Sequence, residues 1–420
     1  MLGAIADDFT GATDLAGNLT ARGFRSIVLV GTELIDDVEM RGMDAVVIAL
    51  KTRTVPPEEA VQHSSRALDF LLELGVHQVY FKYCSTFDST DTGNIGPVLD
   101  MLIQRLGLGA TVVVPSFPAN GRTVYNGYLF VGEDLLEHST MKDHPLTPMR
   151  QSDLGSLLGR QSRHRVEKIT LKCVRAGSRA LLPMLTPLVV DQPTIYIVDA
   201  ITDDDLSTIA QSVQALRLVS GGSGLALGMT GPRPMAPYAE LLDGAVGHRA
   251  ILSGSASSST GRQVEHWVSQ FPSLRVDLTR IQAHEETELQ RIERWALSVW
   301  EESPKTAVLI YSPPLQGESH RYPPETEGKS CMLERFLARL SLRLVQTGAR
   351  HLIVAGGETS GAVISKLGLS ALHVGPPIAA GVNWVLGENR STGLRVNLAL
   401  KSGNFGSPAI FSDAWTHING

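Results

Sequence analysis

At 420 residues the chain outgrows one hydrophobic core, which seldom exceeds about 250–300 residues, so two domains are expected. Hydrophobic residues at 43% and charged residues at 19% exclude a disordered or fibrous chain, and a net charge of −6 argues against nucleic acid, whose binders usually carry a basic surplus. Cys84, Cys173 and Cys331 are odd in number and far apart, so no disulfide frame or paired-cysteine metal knuckle can be drawn. Residues 1–8 lack the basic flank of a signal peptide, and no apolar run approaches the roughly 18–20 residues of a membrane span, so a cytoplasmic protein without a membrane partner is expected.

Along the chain, β-branched runs at 2–6, 26–30, 45–50, 79–81 and 111–114 alternate with amphipathic stretches at 10–21, 57–74 and 94–106. Such alternation predicts a largely parallel sheet covered by helices. Residues 116–150 break the pattern with prolines and glycines and read as long loops with a hairpin; a strand at 194–198 and a helix at 203–216 resume it. Pro232, Pro234 and Pro237 fall too close together for a helix or central strand, which places the boundary there. The expected organisation is an α/β fold of two domains with a ligand cleft between them: 1–229, a linker and hinge region at 230–248, and 249–420. In the second domain, strands are expected at 250–253, 274–278, 306–311 and 352–355, with helices at 263–270, 285–300 and 332–348.

Two acids, Asp7 and Asp8, end the first strand, Asp14 follows, and Thr10 is positioned to cap the helix. The carboxyl ends of strands in open α/β sheets are where ligands bind, although an Asp there can equally serve as a helix cap. Asp8-Phe9-Thr10 is similar to the nucleophile motif of haloacid-type phosphatases, but Thr10 stands where the second acid belongs. Lys51, Arg53, Lys82 and Arg122 each follow a predicted strand at one edge of the sheet, which suits an acidic substrate, since Arg offers a planar fork and Lys a point charge.

Near the other end, Gly356-Gly357-Glu358-Thr359-Ser360 turns a strand into a helix start, and Gly403 sits in a second glycine turn. Glycine admits a phosphate close to the backbone, and the first N–H groups of a helix favour an anion. Two other segments carry less weight. Residues 323–330 end like a Walker loop but hold Pro323 in place of its first glycine, and read as a surface loop; residues 221–224 lack dinucleotide-binding spacing and read as a turn or a second phosphate-facing loop.

Residues 5–14, 356–361 and 401–406 resemble the four-carbon acid sugar kinase family, as do 80–90, 93–98 and 144–149, so the resemblance spans nearly the whole chain. It implies an enzyme that transfers phosphate from ATP to the terminal C4 hydroxyl of a four-carbon acid, 3-oxo-tetronate ahead of threonate or erythronate. A tetronate dehydrogenase and a non-catalytic sugar-acid binder are the rival classes, and a homo-oligomer stays open. The resemblance carries nucleotide contacts onto Ser253, Ser255, Ser257, Gly356, Gly357, Glu358, Thr359, Ser360 and Gly403. It carries the acid substrate onto Asp7, Asp14, Arg53, Lys82 and Arg122. Asp8 is the expected proton acceptor with Asp88 in reserve, Mg2+ the expected cofactor, and Glu358 the residue expected to reach it through water.

Overall fold

The computed structural model describes residues 1–31, 42–144, 147–186, 192–234, 246–312, 324–389 and 391–418. The chain divides into two compact α/β units, Met1–Ala236 and Pro237–Gly420.

In the amino-terminal unit the strands are β1 Leu2–Ala6, β2 Ser26–Val30, β3 Ala45–Ala49, β4 Gln78–Lys82, β5 Ala110–Val114, β6 Arg122–Tyr125, β7 Tyr128–Val131, β8 Asp134–Leu135, β9 Arg165–Ile169, β10 Thr194–Val198 and β11 Leu218–Gly221. Eight of them form a parallel sheet in the order β2-β3-β1-β4-β11-β5-β10-β9. β1 and β3 are buried along their whole length, as strands covered on both faces must be, which explains their unbroken apolar runs. The strand order turns back at β1: β3 lies on one side and β4 on the other, so the acids after β1 stand at a topological switch point.

The insertion is more ordered than loops with a hairpin. β6, β7 and β8 form a separate antiparallel sheet around an Asn126-Gly127 turn in which both residues have positive φ, the geometry a two-residue hairpin favours. Buried Asp199 fastens this turn by accepting from the N–H groups of Asn126 (2.7 Å) and Gly127 (2.8 Å), and it also accepts from Leu171 N–H (2.9 Å).

The carboxy-terminal unit holds β12 His248–Ser253, β13 Ser273–Arg275, β14 Ala307–Tyr311, β15 Ala349–Ala355, β16 Ala371–Ala379, β17 Val382–Asn389 and β18 Leu394–Lys401, in the order β13-β14-β12-β15-β18-β17-β16. The first five of that order are parallel neighbours, whereas β16, β17 and β18 form an antiparallel meander that the sequence reading did not include.

Several local expectations are corrected. The helix expected from 285 runs Leu278–Glu302, kinked at His284, because Asp277 caps it through the N–H groups of Thr279 (2.9 Å) and Arg280 (3.3 Å); the strand before it therefore stops at Arg275. Residues 324–330 are not loop but the start of the helix Pro324–Gln346, with proline at the first helical position, where its missing N–H costs nothing; Pro323 lies outside the described residues. Of the expected linker and hinge region, 235–245 lie outside the described residues. Residues 230–234 belong to the amino-terminal unit, tied by Gly231 N–H to Arg22 O (2.8 Å), Arg233 N–H to Gly23 O (3.2 Å) and an Arg233–Asp44 ion pair (2.6 Å).

Candidate active site

Neighbouring strands β3, β1 and β4 deliver Arg53, the Asp7-Asp8 pair and Lys82 to one edge of the amino-terminal sheet. Backbone bonds fix the junction: Asp7 N–H donates to Lys82 O (3.0 Å), and Thr52 N–H donates to Asp7 O (3.0 Å). Asn94 begins the helix Ile95–Leu106 without capping it, and its side-chain NH2 donates to the carbonyls of Thr52 (2.6 Å), Arg53 (3.2 Å) and Val55 (3.0 Å). That side chain holds the Arg53 loop in place, a role no spacing in the sequence announced.

The Arg53 guanidinium grips Asp7 by two bonds, Nε to Oδ2 (2.9 Å) and Nη2 to Oδ1 (2.7 Å). It also reaches Asp8 Oδ1 (2.6 Å), and Asp88 Oδ2 lies 3.8 Å from Nη1. Asp8, not Thr10, caps the helix Phe9–Ala21: Oδ1 accepts from Gly11 N–H (3.1 Å), and Oδ2 accepts from the Thr10 hydroxyl. Gly11 is required here, since a Cβ would stand 2.3 Å from Asp8 Oδ1 and 2.7 Å from Lys82 Nζ. Lys82 is buried and donates to Tyr83 O (2.8 Å).

Burial works against every carboxylate in this cluster, and the neighbours decide the outcome. Burial pushes the Asp7 carboxyl up despite Arg53, whereas Arg53 and Lys82, with Thr10 and Gly11 N–H, overcome burial and hold Asp8 below the usual range. Asp88 is likewise held low against burial by His144 and Arg53, together with a bond from Thr86. Burial and the Asp88 charge push the Cys84 thiol up to about 12, so it is no nucleophile at neutral pH.

A pocket at this edge is lined by Asp7, Thr52, Arg53, Asp88, Ser89 and Asn94 above an apolar wall of Phe81, Ile95 and Val98. Of the residues expected to serve the acid substrate or its proton, Asp7, Arg53 and Asp88 line it; Asp8, Asp14, Lys82 and Arg122 stand outside the lining. Arg122 opens β6, pairs with Phe117 through both backbone groups, and donates its guanidinium to Asn120 O, with burial pulling its pKa down. The glycines at 221–224 admit neighbouring backbone: a Cβ at Gly221 would lie 2.1 Å from Val114 O and one at Gly224 2.4 Å from Ser116 O.

Asp14 faces inward, accepting from Ser223 Oγ and Asn18 Nδ2. Burial pushes its carboxyl up to about 6, opposed by Lys82 and Ser223. The folded state therefore keeps a proton that the unfolded chain releases near pH 4, so this group's contribution to stability falls as pH rises from about 4 to 6 and is level above that. In denaturation midpoints between pH 4.5 and 7.5, the wild type is expected to lose on the order of 2 kcal/mol relative to Asp14→Asn across that window; parallel curves would contradict it.

In the carboxy-terminal unit, β12, β15 and β18 are adjacent, and each ends in one of the anticipated loops. Gly254 N–H donates to Ala355 O (3.1 Å) and Gly356 N–H to Lys401 O (2.8 Å), which ties the three strand ends together. Gly356 has φ +121°, a conformation that L side chains rarely adopt, and starts the helix Gly357–Leu367. The first bond within this helix runs from Ser360 N–H to Gly356 O (2.9 Å), so the N–H groups of Gly357, Glu358 and Thr359 have no carbonyl inside it. The loops touch: a Cβ on Gly403 would lie 2.7 Å from Ser255 Oγ and 2.9 Å from Ser257 Oγ, and one on Gly254 would lie 2.4 Å from Thr359 Oγ1.

Not every hydroxyl in these loops is available to a ligand. Ser360 Oγ turns back to Gly356 O (2.7 Å), Ser257 Oγ caps its own helix and reaches Gly403 O (2.5 Å), and Ser253 is buried. Among the described residues, no group of three or more His, Cys, Asp or Glu could hold a metal ion by itself, and no helix is long and apolar enough to cross a membrane.

A sugar-binding N-terminal domain model matches residues 2–229, and a nucleotide-binding C-terminal domain model matches residues 250–411. This chain belongs to the four-carbon acid sugar kinase family. Membership makes it a phosphotransferase acting on a hydroxyl group. Among relatives, the 3-oxo-tetronate kinase of Cupriavidus necator is 41% identical, with 100% of this chain and 98% of that protein covered. The 3-oxo-tetronate kinase of Brucella melitensis is also 41% identical, over 98% and 94%. A crystal structure from Salmonella typhimurium LT2 matches at 36% identity and TM-score 0.83, covering 100% of this chain and 99% of that one. One from Haemophilus influenzae matches at 35% and 0.73, covering 99% and 100%.

Proposed function

We propose that this kinase uses ATP to phosphorylate the terminal C4 hydroxyl of a four-carbon acid sugar, with 3-oxo-tetronate as the leading substrate. Full-length similarity at about 40% identity to kinases named for 3-oxo-tetronate carries the reading. The carboxy-terminal loops fit a triphosphate chemically: glycine at 356 and 403 lets the strand-end loops pack against one another without a Cβ between them, and the helix start at Gly357 offers N–H groups to an anion. Ser255, Gly356, Gly357, Thr359 and Gly403 would hold it, with Ser253, Ser257 and Ser360 supporting the loops from behind.

Mg2+, when bound, neutralises charge on the phosphates being separated. A metal held mainly by phosphates and water needs few protein ligands, which suits a site without a ready-made acidic cage, and Glu358 in the first helical turn is the residue we assign to reach it through water.

On the acceptor side, Arg53 and Asp7 would fix the acid's polar groups in the pocket, with Lys82, Arg122 and Asp14 shaping the field around them. Asp8 has both oxygens committed to Arg53, Gly11 and Thr10, whereas Asp88 borders the pocket, so we assign the C4 hydroxyl proton to Asp88 and the positioning of Arg53 to Asp8. In-line transfer places the reacting atoms about 3–3.5 Å apart and excludes water that would hydrolyse the donor.

An ADP-release assay over 3-oxo-tetronate, threonate and erythronate, with and without Mg2+, tests the proposal. Mg2+-dependent release with 3-oxo-tetronate well above the others is expected; release with threonate or erythronate instead would change the substrate. No release with any of them, alongside a nicotinamide absorbance change on adding NAD, would replace a kinase with a dehydrogenase.

A further inference from the structure

The mechanism above leaves one buried cation unused. Lys401 ends β18 with no exposed surface, yet its ammonium shares its three N–H groups among four acceptors: Ser402 O (2.9 Å), Gly403 O (3.1 Å), Phe405 O (3.1 Å) and Thr260 Oγ1 (3.1 Å). Thr260 Oγ1 in turn donates to Gly403 O (2.8 Å), as Ser257 Oγ does (2.5 Å), so that single carbonyl accepts from three groups. Gln263 Nε2 adds bonds to the carbonyls of Phe405 (3.0 Å) and Gly406 (3.0 Å). The carbonyls of Ser402, Gly403, Phe405 and Gly406 are thus tethered to buried side chains of the unit.

In a trans peptide the N–H points opposite to the C=O that precedes it. The N–H groups of Gly403, Asn404 and Gly406 are therefore directed away from the ammonium, which is the arrangement of a backbone anion nest. We propose that Lys401 is a positioning residue of the nucleotide site: its ammonium gathers the carbonyls of the 402–405 turn on the inner side and so aims the N–H groups of that turn at a phosphate on the outer side. Lys401 does not touch the phosphate itself, being fully buried, which separates it from lysines that bind phosphate as exposed point charges. Burial pushes its ammonium down to about 7.

The inference rests on the nucleotide reading of the glycine loops, and the test separates the two. ADP binding by calorimetry and the KM for ATP and for the acid substrate are measured on the full-length wild type, Lys401→Met and the isosteric Thr260→Val. Lys401→Met is expected to weaken ADP and raise the KM for ATP at least tenfold, with the KM for the acid within twofold. Nucleotide affinity within twofold of wild type in folded Lys401→Met overturns this inference alone, whereas a wild type that binds no ADP overturns the nucleotide reading and this inference with it. Should Lys401→Met fail to fold, Thr260→Val decides: about threefold weaker ADP binding supports the inference, and unchanged binding overturns it.

Discussion

Asp88→Asn is expected to lower kcat by about 10²–10⁴-fold, the usual worth of a positioned proton acceptor, while leaving the KM for ATP close to wild type. Asparagine keeps the shape and can still accept from the Thr86 hydroxyl, so the pocket lining should survive the change. Asp8→Asn should behave differently: asparagine is a good helix cap, so its cost falls on the grip around Arg53, seen as a higher KM for the acid. Steady-state kinetics of the two variants decide between the residues. Turnover of Asp88→Asn within threefold of wild type, with collapse in Asp8→Asn, would hand the proton to Asp8.

Arg53→Met should destabilise the amino-terminal unit by about 3–5 kcal/mol at pH 7.5, because it takes from buried Asp7 and Asp8 the cation that bonds them and leaves only the charge of Lys82 nearby. The lower end is favoured by the 18% exposure of the arginine side chain, which lets water share in the solvation. The sign of the pH response follows. In the wild type the depressed Asp8 carboxyl contributes stability above the unfolded value near 4, and loses it as pH falls through its folded value. Without Arg53, burial dominates and the Asp8 carboxyl rises above the unfolded value, so the variant should gain stability relative to wild type as pH falls from 7.5 to 5. Urea denaturation at both pH values checks this; a deficit that stays constant or grows toward pH 5 would show that the arginine does not hold these carboxylates.

Much of the amino-terminal sheet was legible because its strands are unbroken apolar runs flanked by amphipathic helices, and because Asp7, Arg53 and Lys82 follow three strands that prove to be neighbours. β11 was not, since it ends on Gly221, a residue that reads as a turn and is glycine only to clear Val114. The meander of β16, β17 and β18 was hidden for a similar reason: Gly375, Pro376 and Pro377 interrupt its first strand where the pairing shifts register. At the site, the glycine loops showed themselves by composition, but the commitment of Asp8 to capping, the hold of Asn94 on the Arg53 loop, and the inward pull of Lys401 depend on partners 39 to 141 residues away or on which way a side chain turns. No local spacing encodes those.

β18 is the last strand along the chain yet lies inside its sheet, between β15 and β17. During synthesis the ribosome must therefore deliver residues 394–401 before that gap can be filled, while the first unit, which ends at residue 236, can already have folded. A nascent chain would thus assemble its amino-terminal sheet before its carboxy-terminal one, and a product truncated before residue 394 would leave that second sheet divided between β15 and β17.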